Sequence, residues 1–81
     1  MAQPNITVLE FQKRTSHAEF LRWSKTLEGT QREYEELPEG DPKRVYLKKF
    51  ASECRILTEH YKEENRQQDT TIAALRELNE G

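Results

Sequence analysis

Residues 37 to 42 read Leu37, Pro38, Glu39, Gly40, Asp41, Pro42, a run holding two of the chain's three prolines and one of its three glycines. Asp41 has the side chain of a helix N-cap. Pro42 suits the first helical position, where its missing N–H would have had no partner in any case. A helix is therefore predicted to start at Pro42, and whatever precedes Leu37 must turn back on it.

Upstream of the break, Phe20, Trp23, Leu27, Thr30, Tyr34 and Leu37 recur at intervals of three and four, which places them on one stripe of a helix. Leu21 widens the stripe. Ser16 and Glu19 fit a reciprocal capping box, so the first long helix is expected over 16 to 37. Gly29 costs that helix up to about 1 kcal/mol relative to Ala and suggests close approach of another backbone. Downstream, Leu47, Phe50, Cys54, Leu57 and Tyr61 repeat the pattern. The stripe then turns polar at Asn65 and Gln68 before Ile72, Leu75 and Leu78 restore it. No glycine or proline interrupts 43 to 80, so one helix over 42 to 79 is favoured over a break at Asp69 that would cap a separate helix from Thr70 to Asn79.

Two amphipathic helices and a tight turn predict an all-α fold, an antiparallel αα-hairpin. Residues 5 to 14 form a short N-terminal segment, read as a separate helix in preference to a strand. A strand would have no partner, whereas Thr7 with Glu10 fits a second capping box and Glu10 with Arg14 fits a helical ion pair. A first helix of about 22 residues spans roughly 33 Å and reaches only to about residue 62 of the second. The remainder is expected to overhang. Ile72, Leu75 and Leu78 then become an oligomer interface, and the chain assembles into a helical bundle with copies of itself.

The composition agrees with a thin core. Of 81 residues, 33% are hydrophobic and 35% charged, which suits one small domain that gains stability by association. No segment is long and apolar enough for a membrane span, and no basic and apolar leader is evident, so a cytoplasmic protein is expected. Asn5, Ile6 and Thr7 spell a glycosylation sequon that such a protein would not use. Cys54 is the sole cysteine and implies neither a disulfide within the chain nor a zinc motif.

Chemistry-bearing patterns are sparse. Cys54 and His60, six apart on one helix, fall on different faces, and Ser24 and His17 stand about two turns apart; neither makes a nucleophile and base pair. His17 and His60 lack metal-ligand spacing, and there is no glycine-rich phosphate loop. No enzyme activity, cofactor or metal is implied. The densest charge is Lys43, Arg44, Lys48 and Lys49 with Tyr46 interleaved, a candidate anion-binding set for a nucleotide or nucleic-acid phosphate. The plainer reading pairs these cations across the turn with Glu33, Glu35, Glu36 and Glu39. With a net charge of -2, the chain is no strongly basic nucleic-acid binder.

Trp23 and Arg22 are the candidate partner-binding anchor, since exposed Trp and Arg are enriched where proteins bind one another. These features favour a noncatalytic protein-protein interaction protein: a small regulator, adaptor or inhibitor of a larger protein, a class that includes virus-encoded inhibitors. Phosphate binding through 43 to 49 is the alternative.

Overall fold

The computed structural model describes residues 6–80 and consists of two helices, α1 (Ile6–Glu36) and α2 (Pro42–Glu80), packed along one another as an antiparallel hairpin. Among the described residues there is no strand. The turn forms as its residues require. Asp41 accepts the backbone N–H of Lys43 on Oδ1 at 2.9 Å, and its carbonyl accepts the N–H of Arg44 at 3.0 Å. At the other side the N–H of Leu37 reaches the Tyr34 carbonyl at 3.3 Å, which closes α1.

The separate N-terminal segment expected over 5 to 14 does not form. Its described residues are the first turns of α1, which runs unbroken through Ser16; Asn5, with which the segment and the sequon both begin, lies outside the described residues. Ser16 is a buried mid-helix residue, not a cap. Nothing in 6 to 28 breaks a helix, and a hydroxyl can be satisfied inside one, as Thr15 shows by donating to the Phe11 carbonyl at 3.1 Å. Glu10 likewise passes over Arg14 and pairs with Arg76 of α2 at 2.6 Å.

With 31 residues instead of about 22, α1 covers α2 almost to its end, so the expected overhang beyond residue 62 is absent. Asp69 caps nothing. It pairs with Lys13 across the hairpin, and α2 continues through it for 39 residues in all. Ile72, expected on an oligomer interface, is buried between the two helices of one chain. Leu75 is half-buried and Leu78 is 74% exposed.

Packing along the seam relies on small side chains. The buried apolar residues are Leu47, Ala51, Cys54 and Ile72, joined by buried Ser16 and Thr30, whose hydroxyl donates to the Thr26 carbonyl at 2.7 Å. Between Tyr61 and Ile72 the seam is polar: Asn65 Nδ2 meets His17 Nδ1 at 3.3 Å, while the oxygens Asn65 Oδ1 and Gln68 Oε1 are buried without a partner. The result is a rod, 62 × 20 × 14 Å in its Cα extents. Its radius of gyration is 18.2 Å, where a compact chain of this length would have about 12 Å.

Candidate functional site

The seam divides the hairpin into two flanks of unlike chemistry. One is ionic, with Glu10, Lys13, Arg14 and His17 of α1 facing Asp69 and Arg76 of α2, then Glu35 facing Lys48 and Arg55 nearer the turn. The other carries most of the exposed aromatic side chains, set among polar ones. It holds a groove of about 380 Å³ in which Phe11 of α1 and Tyr61 of α2 stand among Gln12, Thr15, Glu19, Glu64 and Gln68. At 100° per residue, Val8 shares this flank on α1, and Tyr46, Leu57, Leu75 and Leu78 share it on α2. Phe11 is 66% exposed, Tyr46 67% and Val8 51%. Val45, Ile56 and Leu21 are also exposed, but they stand apart on other faces, as single surface hydrophobes commonly do.

Trp23 lies at the edge of the apolar flank, half-buried, with its indole N–H donating to Glu19 Oε2 at 3.2 Å. The Arg22 guanidinium stands 5.4 Å from the Trp23 ring centre, and Arg22 also faces Glu19 at 3.7 Å. The candidate anchor is thus one cluster, with a third member, Glu19, that spacing alone had assigned to a cap. Phe11 was the larger omission. It was legible only as part of an N-terminal segment, and its place on a long α1 brings it to the flank.

The basic cluster is dispersed around α2. Arg44 turns back onto α1, donating to the Leu37 carbonyl at 3.1 Å and lying 4.3 Å from the Tyr34 ring centre. That guanidinium, by hydrogen bonding to the phenol oxygen and then by its charge, lowers the Tyr34 phenol below its usual value of 10.0. Lys43, Lys48 and Lys49 are exposed, and the Tyr46 and Phe50 rings lie parallel within 2°, 6.3 Å apart. The expected ion pairing of this cluster with Glu33, Glu35, Glu36 and Glu39 does not occur among the described residues. Arg44 finds a carbonyl and a ring instead, and the other side chains radiate from two exposed helix surfaces where a solvated ion gains little by pairing. The end of α2 that would receive a phosphate already holds the Asp41 carboxylate.

Cys54 is fully buried, and burial pushes its thiol up, away from the thiolate that reacts. His60 faces Glu64 at 3.6 Å and stacks edge-on to Tyr61 at 5.0 Å. Among the described residues no group of three or more His, Cys, Asp or Glu side chains is placed to hold a metal ion, and no helix is long and apolar enough to cross a membrane. Comparison with protein-family models, with curated proteins and with solved structures finds no match.

Proposed function

We propose that this chain is a noncatalytic helical interaction protein, a cytoplasmic regulator, adaptor or inhibitor that acts by docking the apolar flank of its hairpin onto another polypeptide. One observation carries the reading. The chain exposes 6570 Å², whereas a compact monomer of 9.6 kDa exposes about 5,100 Å². The surplus, roughly 1,500 Å², is spread over the whole elongated hairpin, whose length gives room for the roughly 800 Å² each partner contributes to a standard protein interface. The exposed aromatic and aliphatic side chains of the flank supply the kind of surface that such interfaces bury, with Arg22 and Trp23 at its edge as the polar and aromatic anchor.

The test is affinity capture with the full-length tagged chain in its own cells, using Phe11→Asp as the flank control. The expected result is a protein recovered in stoichiometric amount by the native chain and lost with the variant. Recovery of no protein while the helices remain intact would count against the reading.

The parallel Tyr46 and Phe50 rings beside exposed Lys43 and Lys49 favour a second reading, binding of a nucleotide or nucleic-acid phosphate. It predicts a thermal shift with single-stranded oligonucleotide that Lys48→Glu with Lys49→Glu removes. An unchanged melting temperature in the native chain would dispose of it.

A further inference from the structure

Gly29 lies inside α1, where glycine weakens a helix by up to about 1 kcal/mol relative to Ala. Nothing in the hairpin accounts for it, since a Cβ built there would meet no atom within 4 Å. Eighteen residues away stands Phe11, 66% exposed. Eighteen residues are five full turns, so the ring and the gap lie on one line of α1 about 27 Å apart. A knob and a hole on the same line of one helix complement each other when two copies of that helix run antiparallel, each Phe11 over the Gly29 of the other. The two-fold axis must then pass level with Phe20.

Four apolar residues and one ion pair of α2 fall symmetrically about the same level. On α2, Tyr46 and Leu78 are centred on residue 62, and Phe50 and Leu75 lie between 62 and 63. His60 and Glu64, which face each other at 3.6 Å, are centred on residue 62 as well. The register of the hairpin relates the two helices: Lys13 lies opposite Asp69 and His17 opposite Asn65, which continues to Leu21 opposite Tyr61. Residue 20 of α1 is therefore level with residue 62 of α2. A single two-fold axis satisfies both helices at once. It sets Phe11 on Gly29, Tyr46 on Leu78, Phe50 on Leu75, and each His60 beside the Glu64 of the other copy.

We infer that the apolar flank is occupied by a second copy of this chain, forming an antiparallel, two-fold symmetric four-helix bundle; this rests on the functional reading of the flank given above and names its occupant. Isologous contacts require a surface complementary to itself under a two-fold rotation, and these spacings supply that property. The hairpin is 62 Å long in its Cα extents, which gives room on one flank for the half-share of roughly 800 Å² that a standard dimer interface takes. Among the described residues the hairpin buries four apolar side chains, Leu47, Ala51, Cys54 and Ile72, a thin core that burial of the flank would supplement. A second copy is made with the first and is always present in equal amount.

Sedimentation equilibrium of the full chain tests this, with Gly29→Gln, Phe11→Ala and the outer-face control Ile56→Ala. The native chain is expected at about twice 9.6 kDa, with a melting temperature that rises with protein concentration. Gly29→Gln and Phe11→Ala should each raise the dissociation constant by about thirtyfold, while Ile56→Ala leaves it unchanged. Gln is a better helix former than Gly, so loss of the dimer in that variant reports a filled hole and not a weakened helix. If dissociated chains unfold, the concentration dependence of melting reads the same equilibrium. A native chain that is monomeric at every concentration, with a fixed melting temperature, overturns the inference. So does a dimer that ignores Gly29→Gln and yields to Ile56→Ala. A monomer that binds a purified protein through Phe11 overturns the dimer and keeps the functional reading, whereas a dimer that captures no protein supports the dimer and counts against that reading.

Discussion

The Arg44 guanidinium lies 4.3 Å from the centre of the Tyr34 ring while donating to the Leu37 carbonyl, so one side chain ties the first turn of α2 to the last turn of α1. It takes up a carbonyl that the end of α1 leaves without a helical partner, and its charge favours the phenolate of Tyr34.

That contact predicts a pH dependence with a definite sign. Tyr34 has its folded-state value lowered from 10.0, first by the Arg44 hydrogen bond and then by the Arg44 charge. A group lowered in the folded state binds its proton more weakly there than in the unfolded chain. Its contribution is therefore complete above 10.0 and is lost as pH falls through the lowered folded value. Phenolate absorbance should show one of the three tyrosines titrating early. Arg44→Gln should return it to the ordinary range and flatten the rise of stability with pH in that alkaline window. An unaltered titration in Arg44→Gln would break the assignment.

The Asp41 cap should matter on its own. Asp41→Ala removes the acceptor of the Lys43 N–H and is expected to cost about 1 kcal/mol, lowering the melting temperature by roughly 5 °C, while Asp41→Asn retains most of the stability. Equal losses in both variants would show that the carboxylate acts by charge and not as a hydrogen-bond acceptor.

The turn and the two stripes flanking it were legible in the sequence because proline, glycine and a good cap act locally. The length of α1 was not. Ser16 with Glu19 spells a capping box whether or not a helix starts there, and the choice is made by residues far along the chain: Ile72 is buried against the first turns of α1, and the pairs Lys13 with Asp69 and Glu10 with Arg76 add a smaller contribution. That one error displaced the site. With α1 starting at Ser16, Ile72 and Leu75 would overhang, and Phe11 would belong to another element. Once α1 runs from Ile6, Ile72 is core, and Phe11 and Gly29 share a line whose meaning no local pattern carries. The suggestion that Gly29 admits another backbone fails within the hairpin, where the space over it is empty.

The polar break in the seam should be improvable. Gln68 Oε1 is buried without a hydrogen bond, a state that costs about 1 to 3 kcal/mol. Methionine has nearly the same length and flexibility and no oxygen to desolvate. Gln68→Met is expected to stabilise the fold by about 1 kcal/mol in urea unfolding. A destabilised Gln68→Met would mean that the amide is satisfied in solution.

Cys54 should report folding and not redox chemistry. The side chain is wholly buried, and burial, with a smaller effect from the Glu53 carboxylate, raises its thiol above the usual 9.0. A thiol reagent attacks the thiolate and needs access, so both conditions oppose reaction in the folded chain. Labelling with a disulfide reagent is therefore expected to proceed at a rate set by opening of the hairpin, rising in urea in step with loss of helicity. Cys54→Ser should cost about 1 kcal/mol, because a hydroxyl is harder to bury than a thiol even when it bonds back to its own helix, as Thr58 does to the Cys54 carbonyl at 2.8 Å. Rapid labelling of the native chain without urea would show that the helices part at Cys54 far more readily than the close packing around this side chain allows.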